Sequence, residues 1–236
     1  MNNYILTAEK IKMRYGKNTI LNDVSIHVGQ GDIYGLIGKN GSGKTTLLRI
    51  LTGLIQDFDG KVSIAKINTN ETRIAVVIND PSLFLNMSAF ENMKEQAYLL
   101  DLHDDFQIQE ALKTVGLTDI KNKPVKNFSL GMIQRLKLAM ALLKKSDILI
   151  LDEPMNGLDP NGIVDLRELL LHLNKNGMTI LISSHILSEL EQVVTRLGIL
   201  HDGKMVKEVS THDTFGNGTS LEKLYMEYTR GGRTND

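Results

Sequence analysis

"GKNGSGKTT", residues 38–46, stands between the apolar run Ile33-Tyr34-Gly35-Leu36-Ile37 and a second one, Leu47-Leu48-Arg49-Ile50-Leu51. The first run has strand character and the second helix character, so three glycines and two lysines stand in a strand-to-helix turn. The spacing Gly38-x-x-x-x-Gly43-Lys44-Thr45 is that of a phosphate cradle. Its glycines let backbone N–H groups converge on phosphate oxygens. Lys44 is placed to reach the β and γ phosphates, and the Thr45 hydroxyl to ligate magnesium. The following helix adds the positive end of its dipole. Gly38, Asn40, Gly41, Ser42, Gly43, Lys44, Thr45 and Thr46 are therefore the nucleotide-binding candidates. The same cradle serves kinases, GTPases, helicases, motors and transporters, so the rest of the chain must say what the nucleotide is for.

At 236 residues the chain has enough material for a sizeable core in one domain. It has no cysteine, which excludes a disulfide framework and any Cys-based zinc site. A formal net charge of -1 gives no reason to expect a nucleic-acid partner. No apolar stretch approaches the roughly 18 residues of a membrane span, and Met1-Asn2-Asn3-Tyr4 lacks the layout of a secretory signal. The expected place of work is inside the cell.

Short β-patterns alternate with helical ones, which predicts an α/β fold on a mostly parallel sheet. Residues 4–13, 20–28, 60–64 and 73–78 read as strands and suggest a small N-terminal antiparallel β layer. Ser88-Ala89-Phe90-Glu91 matches a capping box and starts a helical stretch over 88–117. With its continuation it forms an inserted α-helical subdomain at about 86–145, the core taking about 1–85 and 146–230. Then come a strand at 148–151, a helix near 163–174, a strand at 178–182, a helix near 186–195 and a hairpin at Asp202-Gly203. Leu221, Leu224, Tyr225 and Tyr228 have the spacing of an amphipathic closing helix. Residues 231–236 read as a disordered tail.

A second site lies at Ile148-Leu149-Ile150-Leu151-Asp152-Glu153. Four apolar residues in a row make a strand buried on both faces, and the carboxyl end of such a strand is where open α/β sheets bind ligands. Asp152 is placed to hold magnesium. Glu153, expected to point elsewhere because extended residues alternate, is placed to polarise an attacking water. Carrying both carboxylates favours hydrolysis over mere binding. A third signal is Ser129-Leu130-Gly131-Met132, where Ser129 caps a helix whose apolar residues Ile133, Leu136, Met140 and Leu143 recur at helical spacing.

Together these elements resemble the ATPase domains of ABC transporters, whose signature motif reads Leu-Ser-Gly-Gly-Gln in its commonest form. The resemblance runs from about Tyr4 to Glu208 and implies a P-loop NTPase core using ATP and Mg2+. It places Tyr15 at the aromatic that stacks on adenine, Asn79 at the Q-loop, Asp159 in the loop after the acidic pair, and His185 at the switch histidine. It also implies that two ATPase domains pair head to tail, each ATP held between one copy's loop and the other's Ser129-Leu130-Gly131-Met132. The implied catalytic set is Lys44, Glu153 and His185. The metal set is Thr45 and Asp152, with Asn79 as a third candidate.

Leu130 and Met132 depart from the common signature, in a form similar to exporters and immunity systems for bacitracin and lantibiotic peptides. Asn79 stands where most relatives carry glutamine, one methylene longer. The resemblance implies a separate membrane permease and a peripheral position on the inner face of the cell membrane. Two other classes stay open. A ribosome-associated factor would usually carry two such domains, and a nucleotide sensor would be expected to lose Glu153 or His185.

Overall fold

The computed structural model describes residues 3–67, 72–78, 83–211 and 220–230. β1 (Tyr4–Tyr15), β2 (Asn18–Gly29) and β4 (Asp59–Ile64) form an antiparallel sheet in the order β2-β1-β4. β3 (Ile33–Ile37), β5 (Ile74–Val77), β6 (Ile148–Asp152), β7 (Thr179–Ser184), β8 (Arg196–His201) and β9 (Lys204–Ser210) form a second sheet, ordered β5-β6-β7-β3-β8-β9. All its pairings are parallel except that of β8 with β9.

The α/β architecture matches the sequence reading, with one strand moved. Residues 73–78 do not join the antiparallel layer. Ala75 and Val77 are buried, and β5 pairs in parallel with β6 from Ile74↔Ile148 to Val77↔Leu151 at the sheet's edge.

Alternation along the buried strands divides the interior in two. Tyr34, Leu36, Ile148, Ile150 and Leu181 face a core shared with the antiparallel sheet and with α1 (Lys44–Leu51). Ile33, Ile37, Leu149, Leu151, Ile180 and Ile182 face a second core, closed by helices that follow β5. These are α2 (Ala89–Leu99), α3 (Asp105–Thr114), α4 (Leu130–Ala141), α5 (Pro160–Lys175), α6 (Leu187–Glu191) and α7 (Leu221–Arg230).

Two helices differ from expectation. The stretch 88–117 is broken because Asp101 turns left-handed at φ 57° and the Asp104 side chain caps α3 by accepting from the Phe106 N–H at 2.9 Å. The capping box at the start of α2 is formed in both directions. α6 ends at Glu191 rather than 195, since Val193 and Val194 turn inward, both bonded to the Leu190 carbonyl. α7 buries Leu221 and Leu224, and Tyr225 and Tyr228 pack on the same core. The tail at 231–236 lies outside the described residues.

Candidate active site

The loop 38–43 links the buried end of β3 to α1, and two of its glycines are sterically required. A Cβ on Gly38 would overlap the Leu200 carbonyl and lie 2.5 Å from Ser42 Oγ. Gly43 sits at φ 106° with a Cβ position 2.7 Å from Leu21. The chain therefore curls tightly enough to bury Lys44, only 5% exposed, at the first position of α1. Its ammonium donates to the carbonyls of Gly38 (2.7 Å) and Lys39 (3.3 Å) and pairs with Glu153 Oε1 at 3.0 Å. Ile20, Asn40, Gly41, Gly43, Lys44, Thr45, Thr46 and Glu153 line a groove of about 320 Å³.

Three parallel strand ends bring the polar groups together. Thr45 Oγ1 donates to Asp152 Oδ2 at 2.7 Å, and Ser183 Oγ donates to Asp152 Oδ1 at 2.6 Å. Glu153 Oε2 accepts from the His185 ring through Nδ1 at 2.8 Å. One carboxylate thus joins the lysine of the loop to the histidine beyond β7.

The orientation of Glu153 has a different cause from the one the sequence suggests. β6 ends at Asp152, and Glu153 adopts a left-handed φ of 49°, a conformation that costs a non-glycine residue about 1–2 kcal/mol. Its N–H donates to Ser183 Oγ at 2.9 Å, which holds the turn. Strain of this kind persists where surroundings enforce it, often at functional sites.

Ser42 contributes a further signal: its Oγ is buried and has no hydrogen-bond partner. A buried hydroxyl aimed at nothing inside a glycine-built cradle suits an incoming oxygen-rich group. Thr45 and Asp152 offer hard oxygens side by side. Among the described residues no three His, Cys, Asp or Glu side chains converge as a metal cage. The Thr45 and Asp152 oxygens suit Mg2+, which binds through one or two protein oxygens and completes its shell with phosphate and water.

The family model described as "ABC transporter" matches residues 21–156, more than half of the chain. The chain belongs to the ABC transporter family. Lantibiotic transport ATP-binding protein SrtF of Streptococcus pyogenes is 41% identical over 224 residues, covering 94% of this chain and 96% of that protein. Bacitracin transport ATP-binding protein BcrA of Bacillus licheniformis is 44% identical over 235 residues, covering 97% of this chain and 75% of that one. Among solved structures, an ATP-binding subunit of an ABC transporter superposes with a TM-score of 0.79 at 29% identity, covering 95% of this chain and 99% of that one. The dimeric cassette MJ0796 shares the fold, with a TM-score of 0.75 at 24% identity over 87% of this chain and 98% of that one.

The other ABC-type residues are placed apart from the groove. Ser129 caps α4 by accepting from the Met132 N–H at 3.3 Å, and Leu130 beside it is 46% exposed. None of Ser129, Leu130, Gly131 and Met132 lines the groove around Lys44. Asp159 caps α5, accepting from the Gly162 N–H at 2.7 Å. Tyr15 is half-exposed at the β1–β2 hairpin, on the strand pair whose Ile20 reaches the groove. Asn79 lies outside the described residues.

Sequence reasoning missed Ser183, the buried hydroxyl that ties Asp152 to the Glu153 backbone. The signal available was two serines before His185, at the end of a strand parallel to β6. It also placed Tyr225 only as a packing residue, although its ring lines a cavity with His185.

Proposed function

We propose that this chain is the ATP-hydrolysing motor subunit of an ABC transporter, and that it drives a separate membrane permease. The observation that carries the reading is the joining of Lys44, Glu153 and His185 in one connected cluster at the mouth of the phosphate loop. The core at about 1–85 and 146–230 carries the loop and this cluster. The helices at about 86–145 carry Ser129 and form the helical subdomain.

The geometry suggests an order of events. Lys44 spends its donors on two carbonyls and on Glu153, all of which phosphate oxygens can replace. Exchange of the ion pair for phosphate contacts frees Glu153 Oε1 to orient or deprotonate a water, while Oε2 keeps His185 in place. Thr45 and Asp152 would hold Mg2+, which when bound neutralises phosphate charge. Lys44 and His185 supply the remaining positive character, and positioning with charge stabilisation accounts for catalysis. General-base assistance by Glu153 is worth about 10²- to 10⁴-fold.

The signature residues are assigned to a second ATPase domain. A helix start with a serine cap and a glycine receives anions, and α4 does not turn that end into its own chain's groove. Pairing head to tail places it over the partner's γ phosphate, as cassettes of this family pair. Nothing in the net charge recommends nucleic acid as a partner. Among the described residues no helix is long and apolar enough to cross a membrane, so the inner membrane face would be reached through the permease.

For cargo, we propose export of, or immunity to, an antimicrobial peptide. The support is the likeness to SrtF and BcrA, together with Leu130 and Met132 in the signature. The test is isolation of the chain from native membranes, followed by bacitracin and lantibiotic susceptibility of a host lacking it. The reading expects a co-isolated membrane subunit and at least one lowered inhibitory concentration. Co-isolation with ribosomes and unchanged susceptibility would overturn it.

A further inference from the structure

The cavity beside the groove is the place where one more residue enters the chemistry. Gly38, Lys39, Asn40, His185, Leu187 and Tyr225 enclose about 220 Å³. Tyr225 reaches it from α7, which is anchored by buried Leu221 and Leu224 and by Lys207 Nζ stacked 5.2 Å over the Tyr228 ring. The Tyr225 hydroxyl is shielded from water, and although the Lys39 backbone N–H approaches its oxygen, its own proton has no acceptor. A buried donor without an acceptor is costly, so an acceptor within reach would be bound strongly.

The histidine on the facing wall offers one. Glu153 Oε2 only accepts, so at 2.8 Å the proton between them belongs to His185 Nδ1. In the neutral ring that leaves Nε2 as an acceptor, and among the described residues no group donates to it. One wall carries a buried donor lacking an acceptor, and the other a part-exposed imidazole whose Nε2 can accept.

We propose that Tyr225 is a positioning residue for His185: its hydroxyl turns to donate to Nε2 and fixes the Nδ1–H tautomer that Glu153 holds. Glu153, His185 and Tyr225 then form one line of hydrogen bonds from the attacking water's base to the C-terminal helix. Release of the histidine toward phosphate requires breaking the Tyr225 link, which ties α7 to the catalytic cycle. Burial, with Asp202 nearby, raises the tyrosine's pKa against the opposing Lys39 backbone N–H, so the hydroxyl keeps its proton at neutral pH. The inference rests on His185 serving the ATPase reaction.

The experiment is Tyr225→Phe in the full-length chain, read two ways. Imidazole nitrogen NMR needs no turnover: at pH 8 the wild type should show His185 as the Nδ1–H tautomer, with an Nε2 resonance that shifts in the variant. Steady-state kinetics should show kcat lowered about 3- to 10-fold, the worth of one hydrogen bond. KM for ATP should change by less than about twofold. Unchanged His185 resonances with unchanged kcat would overturn the proposal, and so would an effect confined to KM. Wild-type protein that binds ATP without hydrolysing it would instead overturn the ATPase reading, while the NMR arm still decides the pairing.

Discussion

The starts of α1 and α4 are both helix N-termini suited to an anion, yet they are built differently. At α1 the chain wires its charged and catalytic groups to one another: Lys44 to Glu153, Thr45 to Asp152, Asp152 to Ser183, Glu153 to His185. At α4 the serine serves only its own helix, and an exposed leucine stands beside it. A wired site holds catalytic groups in register, whereas an unwired one offers a surface. The contrast fits the proposed pairing, in which one chain carries the chemistry of hydrolysis and a second ATPase domain closes over the triphosphate.

Glu153→Gln attacks the wired site at its centre. Turnover at saturating ATP should fall at least about 10²-fold, while ATP binding persists and light scattering shows a dimer in the presence of ATP and Mg2+. Near-normal turnover would place the base elsewhere. Ser183→Ala removes a hydroxyl that donates to Asp152 and accepts from the Glu153 N–H. It should cost about 1–3 kcal/mol of stability and lower turnover about tenfold by loosening the left-handed turn. Pairing at saturating ATP should survive, since nothing at α4 changes. Equilibrium denaturation and ATPase assays check both parts.

The smallest effect lies far from either helix start. His27 on β2 sits between Glu208 (2.8 Å) and Glu9 (2.9 Å), joining the antiparallel layer to β9. Burial disfavours its charge, but the two carboxylates outweigh this and raise its pKa above the ordinary value of 6.5. The stabilisation is therefore fully present below pH 6.5 and is lost as pH rises through the folded value. The melting temperature should decline over that window, and His27→Gln should flatten the decline.

What the sequence showed, and what it hid, follows from the range of the interactions. The phosphate loop, the capping box at Ser88 and the Asp202-Gly203 turn are local: their residue types and spacing lie within a few neighbouring positions. The turn indeed takes positive φ at both positions, 45° and 72°. β6 was legible because four apolar residues in a row admit few alternatives. The fold class followed from the order of such elements. By contrast, the assignment of β5 depends on a partner strand more than 70 residues away, which alternation cannot reveal. Glu153's backbone conformation depends on Ser183, and the place of Tyr225 depends on a closing helix packing beside α6. Pairings that join distant segments leave no spacing to read.

The central claim is that the groove at Lys44 is completed by the partner's Ser129. Mixing two inactive variants, Lys44→Ala and Ser129→Arg, tests it directly. In a symmetric pair each mixed dimer keeps one intact loop facing one intact helix start. An equal mixture should thus recover about one quarter of the wild-type ATPase rate, although neither variant alone turns over. A mixture as inactive as its components, or a Ser129→Arg protein with full activity alone, would contradict the account.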